Sequence, residues 1–229
     1  MKKLLTTALL VILSFTIFSQ VEIGSSTDFT EIESDGTIEF HGDATVWNDY
    51  VVPMTSVKEK SLDGKQPEYE AFIGEVFEWN FINGKLSEVG FTIQMPHDWD
   101  GSIIYPHIHW SPEGGGEGTV VWSMEYTWIN YGGESNPKVF PSPVHSTSEP
   151  AEFSSPAGDY QHHIAKFDPI TPIVNSQDGI SSIILIRFYR DAEGGTGDDG
   201  DTYDEGAFAL SFDIHYRSNT AGSRQEYIK

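Results

Sequence analysis

Ala207-Phe208-Ala209-Leu210-Ser211-Phe212-Asp213-Ile214-His215-Tyr216-Arg217 is the stretch whose reading decides the fold. Side chains alternate faces along a β-strand, so residues two apart share a side. Phe208, Leu210, Phe212, Ile214 and Tyr216 then form an apolar side, with Ser211, Asp213 and His215 opposite. No segment repeats apolar residues at a helical period, so a half-buried strand is the pattern to look for elsewhere.

Two more segments carry it. In Tyr105-Pro106-His107-Ile108-His109-Trp110, Ile108 and Trp110 point one way and His107 and His109 the other. Around Ser123-Met124-Glu125-Tyr126-Thr127, the alternate residues Trp122, Met124, Tyr126 and Trp128 form a stripe at core spacing, which reads as core before sugar-stacking platform. Further strands are expected over Glu70–Ile82, Val89–Met95, Ile103–Ser111, Thr119–Ile129, Gln161–Phe167 and Ser181–Arg190. Asn83-Gly84 and Gly114-Gly115-Gly116-Glu117-Gly118 supply turns. Residues 52–68 and 132–159 read as loops, being rich in Pro, Gly and Ser. Crossover helices are missing, which excludes a parallel α/β sheet. The expected fold is all-β, a jelly-roll-like antiparallel β-sandwich.

Three divisions follow. Lys2-Lys3, an apolar or hydroxylic run from Leu4 to Phe18, and Ser19 before Gln20 predict a Sec signal peptide over residues 1–19. The run is shorter than the ~20 residues a spanning helix needs, and no later stretch is apolar enough. Export to the periplasm, cell surface or medium without membrane insertion is therefore expected. Residues 20–66 read as an N-terminal β-hairpin appendage or linker, with strands at Thr30–Glu33 and Thr37–Phe40 around Ser34-Asp35-Gly36. Residues 67–229 read as the β-sandwich domain.

The chain has no cysteine, which excludes disulfides, thiol catalysis and a lipid anchor. Its formal charge is −22. Removing Lys2 and Lys3 leaves 11 basic residues against 35 acidic ones, near −24. An acidic surface repels phosphate backbones and anionic lipids, so nucleic acid is not an expected partner. There is no nucleophile elbow, phosphate-binding glycine loop or His-Glu-x-x-His motif.

The histidine strands are the one constellation suited to chemistry. Neutral imidazole ligates divalent transition metals, and two His at i and i+2 on a strand can share one ion. His215 from a neighbouring strand would add a third nitrogen, with Glu113, Glu125 or Asp213 as oxygen ligand or supporting partner. A second candidate is the acidic loop 191–205, where Asp198, Asp199, Asp201 and Asp204 are hard oxygen donors suited to Ca²⁺. Its register differs from an EF-hand.

Several segments carry a resemblance to a known family. Ala44-Thr45-Val46-Trp47-Asn48-Asp49, Tyr105 to Trp110, Glu125-Tyr126-Thr127-Trp128, Asp201-Thr202-Tyr203 and Gly222-Ser223-Arg224-Gln225-Glu226-Tyr227 resemble phage and prophage tail- or fibre-associated β-sandwich structural proteins. That resemblance implies a non-catalytic surface or structural binding module, homo-oligomeric, acting in adhesion or assembly. A glycan or surface-protein ligand is the expected partner. A second resemblance, confined to spacing, is to the cupins: Gly101, His107, His109, Glu113, His215 and Asn219 stand near cupin-motif intervals. It implies, as the alternative, a cupin-like metal-binding protein or metalloenzyme with a site of His107, His109 and His215 and Glu113 as fourth ligand. The chain departs from cupins where they keep a Pro-x-Gly turn, since Phe208 to Ile214 is unbroken.

Overall fold

The computed structural model describes residues 20–59, 64–131, 138–155, 160–172, 181–193, 200–223 and 226. The expected signal segment, 1–19, lies outside them. Strands β1 (Val21–Gly24), β2 (Phe29–Ile32) and β3 (Ile38–His41) make a small antiparallel sheet. The chain continues through β4 (Val46–Pro53), β5 (Lys58–Glu59), the hairpin β6 (Glu68–Ile73) and β7 (Val76–Phe81), and β8 (Leu86–Gln94). Then come β9 (Tyr105–Pro112), β10 (Gly116–Val120), β11 (Ser123–Ile129), β12 (Val144–Thr147) and β13 (Ala151–Ser155). β14 (His163–Lys166), β15 (Ile183–Asp191) and β16 (Ala207–Ser218) complete it.

Every strand pairing is antiparallel, and the described residues hold no α-helix. One sheet runs β12-β11-β15-β8-β5; the other runs β14-β9-β16-β7-β6, with β4 also beside β16; β10 pairs with β13. The two large sheets bury their apolar faces against each other, which is the antiparallel sandwich that the alternation predicts. Aromatic contacts cross between them: Phe81 meets Trp122 at 5.1 Å, Phe91 meets Phe212 at 5.1 Å and Trp110 meets Trp122 at 6.2 Å. The stripe read as core is core. Trp122, Met124 and Trp128 are buried, and Tyr126 packs against the cluster. Fully burying a large apolar side chain contributes roughly 1.5–3 kcal/mol.

Several local readings change. Glu70–Ile82 is not one strand, because Gly74 (φ 59°) turns the chain and makes the β6–β7 hairpin. Thr119–Ile129 is divided at Val121-Trp122 into β10 and β11, which join different sheets. The loops 52–68 and 132–159 contain short strands, β5, β12 and β13, too brief to stand out in the sequence and held by their partners. Segment 46–59, grouped above with the appendage, pairs into both large sheets: β4 lies along β16, and β5 along β8.

The deciding strand itself is kinked. Its register against β9 shifts between Ala209 and Ser211, a β-bulge at Leu210. Ala207 and Ala209 therefore face the core before the bulge, and Phe212, Ile214 and Tyr216 after it. Phe208, expected on the core side, packs instead against Phe72 and Tyr160. The bulge leaves Asp213 and His215 on the outer face, where alternation put them.

Candidate functional site

Register across β9, β16 and β4 sets out the outer face in rows. Asp213 lies between His107 and Val51, Ser211 between His109 and Pro53, and His215 between Tyr105 and Asp49. β14 adds Lys166 beside His107 and Ile164 beside His109. The core residues Ile108, Phe212 and Ile214 hold these strands from behind, so the polar side chains project from a rigid sheet.

Three ligand atoms converge. His107 Nε2 and His109 Nε2 stand 3.1 Å apart. Asp213 Oδ2 is 3.2 Å from His109 Nε2 and 3.8 Å from His107 Nε2. A point about 2.0 Å from all three atoms lies close to their plane, which is the bond length zinc makes to imidazole nitrogen and carboxylate oxygen. The donor atoms of His107, His109 and Asp213 all lie within 4.8 Å of one another. Asp213 Oδ1 is buried and has no hydrogen-bond partner, a costly state for a carboxylate oxygen unless a cation or water answers it.

Electrostatics suit ligation. Burial pushes His107 below the ordinary histidine value, and the adjacent His215 adds to this against the opposing pull of Asp213. Burial likewise lowers His109, with Asp213 opposing and His162 reinforcing the shift. Both rings are thereby favoured as neutral imidazoles, the form that binds metal. Their outer nitrogens are also engaged. His109 Nδ1 lies 2.6 Å from His162 Nε2, with the rings stacked at 4.9 Å, and the His107 ring bonds the Tyr105 backbone. Such contacts fix ring orientation around metals.

The remaining expected ligands go elsewhere. His215 packs its ring on His107 at 4.4 Å, but its Nε2 turns to Asp49 Oδ1 at 3.1 Å. It flanks the triad without entering it. Glu113 lies four residues beyond His109, about 13 Å along an extended chain, and accepts the Gly206 N–H at 3.0 Å. Glu125 belongs to β11 in the other sheet, where it ion-pairs with Arg187 at 3.1 Å. Alternation fixes which side of its own strand a residue takes, but not which sheet that strand joins.

The calcium candidates also disperse. Asp198 and Asp199 lie outside the described residues. Asp201 is buried, with one oxygen 2.8 Å from Arg190 Nε and the other 2.9 Å from Arg190 Nη2. It also accepts the Val121 N–H at 3.1 Å, so both oxygens already serve the fold. Asp204 is an exposed turn residue whose carbonyl accepts from Asn83.

Sequence reading missed Asp49 and His162. Asp49 was grouped with the appendage, and its partnership needs β4 beside β16. His162 belongs to a His162-His163 doublet just ahead of β14, a signal available in the sequence. The face also carries exposed aromatics unremarked there: Trp47 (57% exposed) meets Tyr105 (40%) edge-on at 5.5 Å and 70°.

No family model and no curated protein matches this chain. Among solved structures, the chain is similar to the carbohydrate-binding module TmCBM61 in complex with β-1,4-galactotriose at 14% identity and a TM-score of 0.27, over 74% of this chain and 88% of that one. It is similar to a candidate glycoside hydrolase from Bacteroides thetaiotaomicron at 9% identity and a TM-score of 0.25, over 91% and 94%. Likenesses of this size carry no argument about function. No helix among the described residues is long and apolar enough to cross a membrane.

Proposed function

We propose that the protein is an exported, non-catalytic binding module that carries a divalent transition-metal ion on the outer face of its six-stranded sheet and takes its ligand there. The observation that carries this reading is the triangle of His107 Nε2, His109 Nε2 and Asp213 Oδ2, with sides of 3.1, 3.2 and 3.8 Å. Three protein ligands leave coordination positions open for a ligand's oxygen atoms. The Trp47–Tyr105 corner beside the His215–Asp49 row offers an apolar surface against which a sugar ring can stack. A glycan or a surface-protein segment is the ligand class this face fits, and the charge of −22 disfavours nucleic acid. Export through residues 1–19 and homo-oligomeric assembly belong to the same reading. The resemblance to phage-tail and fibre proteins accords with a role in adhesion or assembly.

The test is a glycan-array and cell-surface binding screen with metal-loaded protein, chelator-treated protein and a His107→Ala/His109→Ala variant. Binding should fall on chelation, return with zinc and be missing in the variant. Binding indifferent to all three treatments contradicts the reading.

A further inference from the structure

A second group of histidine and carboxylate atoms lies in the β1–β2–β3 sheet, remote in sequence from the His107 face. Glu31 of β2 stands directly opposite Glu39 of β3, and Glu22 of β1 stands opposite Glu31 on its other side. Three carboxylates therefore share one cross-strand row, and like charges directly opposite destabilise a sheet. No lysine or arginine occurs between Gln20 and Val57 to offset them. None of the residues of these three strands is buried, so the sheet has no core of its own, and short sheets without a packed face are marginal.

His41 stands in the next row, opposite Phe29, whose ring stacks on it at 4.4 Å and 15°. The stacked ring directs Nε2 toward the carboxylates, 3.1 Å from Glu31 Oε2 and 3.7 Å from Glu39 Oε2. That nitrogen is itself screened from solvent, although the His41 side chain as a whole is 36% exposed. The donor atoms of the three residues lie within 4.8 Å of one another, and the Glu31 side chain is only 13% exposed. We propose that Glu31, Glu39 and His41 form a second divalent-metal site, whose ion staples β2 to β3 and orders the N-terminal sheet. One imidazole with two carboxylates suits zinc or manganese, since calcium takes oxygen ligands alone. Burial and the neighbouring Glu33 carboxylate push Glu39 upward, in keeping with an anionic cluster that a cation relieves. This site is independent of the one on the six-stranded sheet.

The experiment is zinc titration of the full chain with hydrogen–deuterium exchange as readout, in a His107→Ala/His109→Ala background that leaves the second site alone. One zinc per chain and slowed exchange over residues 29–41 are expected, both lost on adding Glu31→Gln/Glu39→Gln. The same substitutions in the otherwise unaltered chain should lower its zinc count from two to one, which covers a background variant that fails to fold. Zinc uptake and protection unchanged by Glu31→Gln/Glu39→Gln overturn the proposal. So does equal protection of residues 29–41 with and without zinc.

Discussion

His162 Nε2 sits 2.6 Å from Nδ1 of His109, the ring whose other nitrogen faces Asp213. The candidate ligand is thus oriented from beyond its own strand, by a residue just ahead of β14. His162→Ala should weaken zinc binding about 10- to 100-fold without abolishing it, the usual consequence of losing a supporting partner. Competition titration against a chromophoric chelator reads this directly. An unchanged affinity removes His162 from the site.

The lowered values of His107, His109 and His163 carry a pH dependence for the metal-free protein. Burial holds each ring neutral in the fold, so the unfolded chain binds more protons once the pH drops below the ordinary histidine value of 6.5. Stability is then fully present above about pH 6.5 and declines as the pH falls below it. Denaturation midpoints in chelator across that window should show the decline, and His107→Asn/His109→Asn should flatten it. A midpoint that rises on acidification contradicts the assignment.

Arg190 and Asp201 are a buried pair at 0% and 3% side-chain exposure. The guanidinium also donates to the carbonyls of Phe81, Glu205 and Tyr203, each at 2.9 Å. Asp201→Asn leaves a buried cation uncompensated and should cost about 3–5 kcal/mol. Urea denaturation should show that loss equally with and without calcium. A loss confined to calcium-containing buffer would restore Asp201 as a calcium ligand.

Two tryptophans separate stability from binding. Trp122 is fully buried against Phe81 and Phe188, and Trp122→Ala should cost about 3–5 kcal/mol. Trp47 is exposed beside Tyr105, and Trp47→Ala should change stability by no more than about 0.5 kcal/mol. The same Trp47 substitution should weaken ligand binding. Unaltered binding by Trp47→Ala and by Tyr105→Ala would move the ligand off this corner.

The parts of this molecule legible in the sequence are those set by period-2 alternation. The Trp122–Trp128 stripe, the inward Ile108 and Ile214 and the outward His107, His109 and Asp213 all follow from one strand at a time. Relations between strands were not legible. Glu125 has the alternation of a site residue, yet β11 hydrogen-bonds to β15 in the opposite sheet. Leu210 bulges because of its register against β9, so Phe208 changes sides. The Gly114 approach shows the same limit: a Cβ there would run into the Glu205 carboxylate, a contact between residues far apart in sequence. Asp49 joins the site only because β4 lies along β16.

The most direct measurement is metal content of the protein purified without a histidine tag, by elemental analysis, beside His107→Ala/His109→Ala, Glu113→Gln and Glu125→Gln. The transition-metal content should fall by one ion per chain in the histidine variant and be unchanged by both glutamate substitutions. No difference in metal content between the unaltered protein and the histidine variant, even after incubation with zinc, would contradict it.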